Sequence, residues 1–270
     1  MTSNDDLRAE LAGVAASLRA YLEQQADSGA TGIPRGIRVP RALASTVTPT
    51  ATPTVTPTPT ASPSASTRSL AQLADVVAGC TRCALHATRT QTVFARGNPA
   101  AALCFVGEAP GADEDEQGLP FVGRAGQLLD RMITAMGLSP AKDVYVCNIL
   151  KCRPPGNRKP EPIETQTCLP YLHEQLELVK PKVIVALGNT AVAALLETKL
   201  GITRLRGQWK LYRGTTLVMP TYHPSYLIRP SPQQSDAKRD AWEDLQAVMR
   251  ELKLPAPPGG ARSVPPRGEA

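Results

Sequence analysis

Residues 101–108 read AALCFVGE, residues 144–150 VYVCNIL, residues 183–188 VIVALG and residues 216–224 TLVMPTYHP. Each is a short apolar run without the polar alternation of a half-exposed strand, so each describes a strand covered on both faces. Stretches with helical spacing of apolar residues lie near 124–136, 162–179, 189–197 and 234–252. Strands alternating with helices build a mainly parallel sheet with helices on either side. The expected fold is therefore α/β, a three-layer αβα sandwich around a central, mainly parallel four-stranded sheet. In open sheets of this kind a site forms beyond the carboxyl ends of the strands.

Distinctive residues stand at those ends. The first run leads into Gly107-Glu108-Ala109-Pro110-Gly111, then an acidic run at 113–116 and Leu119-Pro120-Phe121-Val122-Gly123. A Gly/Pro turn lets backbone approach a ligand closely and offers it amides. Glu108, at the strand exit, can position a nucleophilic water; Glu114 or Asp115 can share that role, although most of the acidic run reads as a solvated loop. Phe121 reads either as a core residue or as a flat stacking surface. Asn148 ends an otherwise apolar strand, so its amide needs partners, within the protein or on a ligand such as a base edge. His223, in Tyr222-His223-Pro224-Ser225-Tyr226-Leu227-Ile228-Arg229, follows a strand and precedes a proline. A structural and a functional histidine are equally good readings there. His86 and His173 lack companions and read as surface residues.

The chain holds 6 Cys, and its N-terminus, MTSNDDLRAE, has neither a basic start nor an apolar stretch. That argues against secretion and for a cytoplasmic protein, in which metal ligation or buried thiols outrank a disulfide scaffold. Cys80 and Cys83 form a Cys-x2-Cys pair, with Cys152 and Cys168 much later. Four such thiolates can hold zinc or an iron–sulfur cluster, and spacing does not choose. Cys104 and Cys147 fall inside apolar strands and read as small buried hydrophobes. No apolar run approaches the roughly 20 residues that span a bilayer.

Composition divides the chain into four parts. Residues 1–42 form an extension in which Leu7, Leu11, Val14, Leu18 and Leu22 make one stripe of a helix over 4–25, capped by Asn4 or Asp5. That stripe docks on its own domain or on a protein partner. Residues 43–68 are an uncharged Pro/Thr/Ser-rich stretch up to Arg68, expected to be a disordered linker. Residues 69–253 form the globular domain, and 254–270 a Pro/Gly-rich tail expected to be disordered. The basic excess lies in the globular part, where residues 68–253 carry 23 basic and 18 acidic side chains. That is a mild bias towards polyanions, compatible with nucleic acid or phosphometabolites.

Together the residues resemble family 4 of the uracil-DNA glycosylase superfamily, the iron–sulfur type, over about residues 69–252. The resemblance rests on GEAPGADEDEQGLPFVGRAGQLLD (107–130), NILKCRPPGNRKPEP (148–162), HPS (223–225) and Cys80, Cys83, Cys152 and Cys168. It implies a monofunctional DNA glycosylase that flips uracil out of DNA and hydrolyses its N-glycosidic bond, starting base excision repair. It implies that the four cysteines bind a structural 4Fe-4S cluster. Gly107, Glu108, Ala109, Phe121, Asn148 and His223 would form the substrate pocket. Phe121 would stack on the flipped ring, Asn148 would read the O4 and N3–H edge, and His223 would donate to O2 of the leaving uracil. Glu108 would orient water. Leu227 would wedge into the duplex, with Arg229 and Arg153 near phosphates and Lys151, Arg158 and Lys159 as further backbone contacts. The chain would act on DNA as a monomer, at the nucleoid and away from membranes.

Two other classes remain. A non-catalytic iron–sulfur nucleic-acid-binding module would keep the cysteines and basic face without needing Glu108, Phe121, Asn148 and His223 together. A zinc nucleobase deaminase calls for His-x-Glu with Pro-Cys-x-x-Cys, and neither occurs.

Overall fold

The computed structural model describes residues 68–255. The helix expected over 4–25, all of the linker but Arg68, and the tail beyond Pro255 lie outside the described residues. The elements are α1 (Leu70–Ala78), β1 (Ala95–Gly97), β2 (Leu103–Gly107), α2 (Ala112–Gln117), α3 (Arg124–Ala135), β3 (Val144–Asn148) and α4 (Pro162–Val179). They continue with β4 (Val183–Leu187), α5 (Gly188–Leu196), α6 (Ile202–Leu205), β5 (Lys210–Tyr212), β6 (Thr216–Thr221), α7 (Pro224–Leu227) and α8 (Gln234–Glu251). Local chemistry starts several of them. Ser69 and Gln72 cap α1 reciprocally, and α4 opens with Pro162 at its first turn and a Glu161/Glu164 capping box.

The sheet runs β1-β3-β2-β4-β6-β5. Its four central strands are the four apolar runs, and they pair in parallel. Two short antiparallel strands extend the expected four-stranded sheet to six, β1 on β3 and β5 on β6. Side chains alternate between two cores as a period of two requires. Cys104, Val106, Tyr145, Cys147, Ile184 and Ala186 face α4, α5 and α6. Leu103, Phe105, Val144, Val146, Val183 and Val185 face α3 and α8. Burying each of these larger aliphatic or aromatic side chains contributes about 1.5–3 kcal/mol, so the two cores hold the helices on the sheet. Pro220 is tolerated in β6 because β5 pairs only with residues 216–218, and a proline there removes no ladder bond on that side.

Register aligns the strand ends. Gly107 pairs with Asn148, and Leu187 with Thr221. The acidic run expected as a solvated loop is instead the short helix α2, with Asp115 only 3% exposed. Among the described residues, no helix is long and apolar enough to cross a membrane.

Candidate active site

The carboxyl ends of β2, β3, β4 and β6 open into a cavity of about 540 Å³ lined by Glu108, Ala109, Phe121, Asn148, Gly188 and His223, among others. Three clusters far apart in sequence thus meet in one place. Gly107 lies beneath them: a methyl group there would come within 2.5 Å of Phe121 Cζ and would also collide with Asn148 Oδ1. Only glycine lets ring and amide approach so closely.

Phe121 is 5% exposed, with its ring centroid 5.6 Å from that of His223 at a tilt of 32°. Its backbone is left-handed at φ 58°, a strained conformation for a bulky residue that persists only when its surroundings impose it. Glu114 imposes it from one side, its carboxylate accepting from the amides of Gly111, Val122 and Gly123 at 3.0, 3.0 and 2.9 Å. Arg96 holds the other side, donating to Pro120 O at 2.8 Å and pairing with Asp130 at 2.5 Å. Asp115 accepts from Thr90 N at 3.0 Å. The water-handling role considered for Glu114 and Asp115 does not fit these positions: Glu114 lines the cavity but its carboxylate is taken up by three loop amides, and the buried Asp115 is engaged by Thr90. Glu108 is placed differently: half-buried on the cavity wall, it accepts from Thr190 Oγ1 through Oε2.

Asn148 is 2% exposed, and its Oδ1 is buried without a hydrogen-bond partner. An unsatisfied buried acceptor costs about 1–3 kcal/mol, which a ligand donor would recover. His223 caps α7, its Nδ1 accepting from Ser225 N at 3.1 Å with Ser225 Oγ at 2.8 Å. The neutral ring therefore carries its proton on Nε2. Burial, helped by the charge of Arg229, lowers its pKa from 6.5 to about 4, so the ring is neutral at ordinary pH. The strand leading to it is anchored by Asp244, 2% exposed, which accepts from Thr221 Oγ1 at 2.6 Å and pairs with Arg206 at 2.7 Å.

The residues expected on DNA separate. Arg229 is exposed and lines the cavity. Arg153 is half-buried and donates to Asn157 Oδ1 at 2.7 Å. Lys159 is exposed, and Arg158 lines the cavity while pairing with the buried Glu164 at 2.6 Å, which holds that carboxyl below its ordinary value. Two expectations need correction. Leu227 is 1% exposed and packs with Ala237 and Ala241, so it is a core residue and no wedge; its neighbour Tyr226 is the exposed side chain, at 43%. Lys151 is 1% exposed and donates to Asn148 O, so it does not face a phosphate backbone. His173, expected at the surface alone, is half-buried with Nδ1 2.6 Å from the Tyr212 hydroxyl, whereas His86 is exposed.

Cys80, Cys83, Cys152 and Cys168 line a second cleft, between α1, the loop after β3 and α4. Arg89 donates to Cys152 Sγ at 3.1 Å and to Cys80 O at 2.8 Å, and the Lys151 amide donates to Cys168 Sγ at 3.4 Å. Burial pushes Cys168 up to about 11 and raises Cys152 against the pull of Arg89. Cys104 and Cys147 are fully buried in neighbouring strands, as their apolar settings imply. Sequence reasoning missed Thr190 and Arg89. Thr190 follows β4 at the same strand-end level as Glu108, which was signal enough, whereas Arg89 is a long side chain whose target lies 63 residues on.

Residues 94–246 match the model of the uracil DNA glycosylase superfamily. A type-4 uracil-DNA glycosylase of Thermotoga maritima is 42% identical, covering 67% of this chain and 93% of that protein. Type-4 uracil-DNA glycosylases of Sulfurisphaera tokodaii and Archaeoglobus fulgidus are also each 42% identical, over 58% and 63% of this chain and 74% and 91% of theirs. A family match over more than half the chain, with the Thermotoga and Archaeoglobus relatives covered over more than nine-tenths of their length, leads to one assignment: this chain belongs to the uracil DNA glycosylase superfamily, with its type-4 members.

Proposed function

We infer that the protein removes uracil from DNA by hydrolysing the bond between the base and deoxyribose, leaving an abasic site and so opening base excision repair. The observation that carries this reading is the partnerless, buried Asn148 Oδ1 in a cavity that also holds the Phe121 ring and a neutral His223. The flipped ring stacks on Phe121. Asn148 Oδ1 accepts from N3–H, and its amide N–H donates to O4. Cytosine has no N3–H and presents an amino donor at position 4, so both contacts fail; polar pairing of this kind separates substrates by orders of magnitude. As the bond breaks, negative charge gathers at O2 and the sugar turns cationic. The fixed Nε2–H of His223 donates to O2 without giving up its proton. Glu108, with one oxygen on Thr190 and the other left for water, holds the nucleophile and favours the cationic sugar. Arg229, Arg153 and Tyr226 face the DNA. Extruding the nucleotide costs a few kcal/mol, offset by these contacts.

The thiol cleft fits a 4Fe-4S cluster. Its donors are four cysteines with N–H groups aimed at two of the sulfurs. Among the described residues, no three His, Cys, Asp or Glu side chains converge where a single ion would sit. Four thiolates can hold zinc or an iron–sulfur cluster, and the resemblance to the iron–sulfur type of the superfamily is what favours the cluster. Cys80, Cys83, Cys152 and Cys168 would hold it, and it would supply a structural cross-link between α1, the loop after β3 and α4.

The test is incubation with a single-uracil oligonucleotide followed by alkali. Scission at the uracil is expected, in protein that contains iron. Binding without scission would favour the non-catalytic module instead. A cytoplasmic, nucleoid site of action belongs to the same reading, since that is where the substrate is.

A further inference from the structure

Lys151 is the only buried Lys or Arg among the described residues, at 1% exposure. Its ammonium donates to the main-chain carbonyl of Asn148 at 2.6 Å and stands 5.9 Å from the centroid of the Phe94 ring. Its own amide donates to Cys168 Sγ at 3.4 Å. None of the ion pairs among the described residues includes it. A buried ammonium without an anion costs several kcal/mol, and a residue needed only to fill this space would be an aliphatic one. The thiols whose negative charge bears on Lys151 are Cys147 and Cys104 of the neighbouring strands together with Cys168 and Cys152, and the last two belong to the cleft that Lys151 also lines with Cys80 and Cys83. Lys151 thus touches both sites: a thiol centre on one side and, on the other, the backbone of the residue whose orphan Oδ1 faces the uracil cavity.

We propose that Lys151 is a positioning residue that couples the four-cysteine centre to Asn148, so that the filled centre fixes the orientation of the base-reading amide. The proposal rests on the uracil reading above and adds a role for the centre beyond cross-linking. The charge of the centre holds the ammonium in place; the ammonium holds the Asn148 carbonyl; and the side chain of Asn148 is presented at one angle to the ring. Base selection then depends on a residue that never touches the base.

The experiment uses iron-loaded wild type, K151M and K151R, with free uracil as probe. Calorimetric titration should show uracil binding weakened about tenfold in K151M, the loss of one charge-assisted hydrogen bond, and largely restored in K151R. Iron content and thermal melting monitor whether each variant is loaded and folded. In wild type alone, a second readout applies: adding uracil should change the visible circular dichroism of the iron–sulfur chromophore, because both sites share Lys151. An unchanged spectrum with uracil bound would overturn the coupling whatever the variants do. So would uracil binding by K151M equal to wild type, or an equal loss in K151R. If wild type binds no uracil and cleaves no uracil oligonucleotide, the functional reading itself fails, a result distinct from any of these.

Discussion

Lowering the pH tests the leaving-group argument most directly, because the ring of His223 is tuned to stay neutral. Its folded pKa of about 4 follows first from burial and then from Arg229. At pH 5.5 a group of pKa about 4 is about 97% neutral, whereas an unperturbed histidine near 6.5 is about 9% neutral. Protonation would place a hydrogen on Nδ1, against the Ser225 amide that now donates to it, so the ring would lose the anchor that aims Nε2. The assay is single-turnover cleavage of a single-stranded uracil oligonucleotide between pH 4 and 8. The wild-type rate should hold its plateau to about pH 5.5 and fall towards 4. His223→Gln keeps an N–H donor that does not titrate, so whatever part of the acid limb belongs to His223 should vanish in it. His223→Ala, with no donor, should lower the plateau by about 10²–10³-fold. An acid limb centred near 6.5 that disappears in His223→Gln, or full activity in His223→Ala, would refute the assignment.

The same shift has a stability consequence: with the folded value below the unfolded one, the unfolded chain takes up the proton first. Stability should therefore fall as the pH drops from about 6.5 through 4, by no more than about 3 kcal/mol for a half-buried ring, and the pH dependence of stability read from urea melts should differ between wild type and His223→Gln within that window and run parallel outside it. Gly107→Ala should cut the cleavage rate at least about tenfold, since overpacking costs about 1–3 kcal/mol and here falls on Phe121 and Asn148; an unaltered rate would mean the ring and amide do not work from these positions. Asn148→Asp removes the donor to O4 and should erode the preference for uracil over cytosine in a competition between oligonucleotides, whereas unchanged selectivity would take Asn148 out of recognition. Leu227→Ala should destabilise the domain by about 2–5 kcal/mol, while Tyr226→Ala stays within about 0.5 kcal/mol and impairs double-stranded substrates; the reverse order in urea melts would contradict their placement.

The four apolar runs were legible because strands buried on both faces carry their signal in composition alone. β1 and β5 were not, since three residues at a sheet edge are too few to show a period. The strand-end rule located Glu108, Asn148 and His223 without any knowledge of distance, because a parallel sheet delivers all its carboxyl ends to one edge. What failed was the direction of individual side chains. Lys151 reads as an exposed cation until Cys168, 17 residues on, is seen beside it. Leu227 reads as a free apolar side chain until α8 brings Ala237 and Ala241 against it. Glu114 and Asp115 look like solvated acids because their partners are backbone amides, which no side-chain pattern reveals.

The order of the strands explains how a flat ring can be gripped at both edges. Asn148 ends β3 and His223 follows β6, and β2 and β4 lie between them. At about 4.8 Å per strand, the two polar groups start some three spacings apart, about 14 Å, and reach inwards over the two middle strands. Those middle strands give way to Gly107 and Gly188, where any side chain would fill the gap: a methyl at Gly107 meets Phe121 and Asn148, and one at Gly188 stands 3.0 Å from His223 Cβ. Bare backbone under the ring and hydrogen-bonding groups on the flanks are therefore one arrangement. Glu108, rooted in β2 and tied to Thr190 after β4, rises between the flanks. In the proposed reaction this lets the carboxylate serve the sugar carbon while Asn148 and His223 keep the departing base, so water and leaving group are handled by different strands and do not compete for one site.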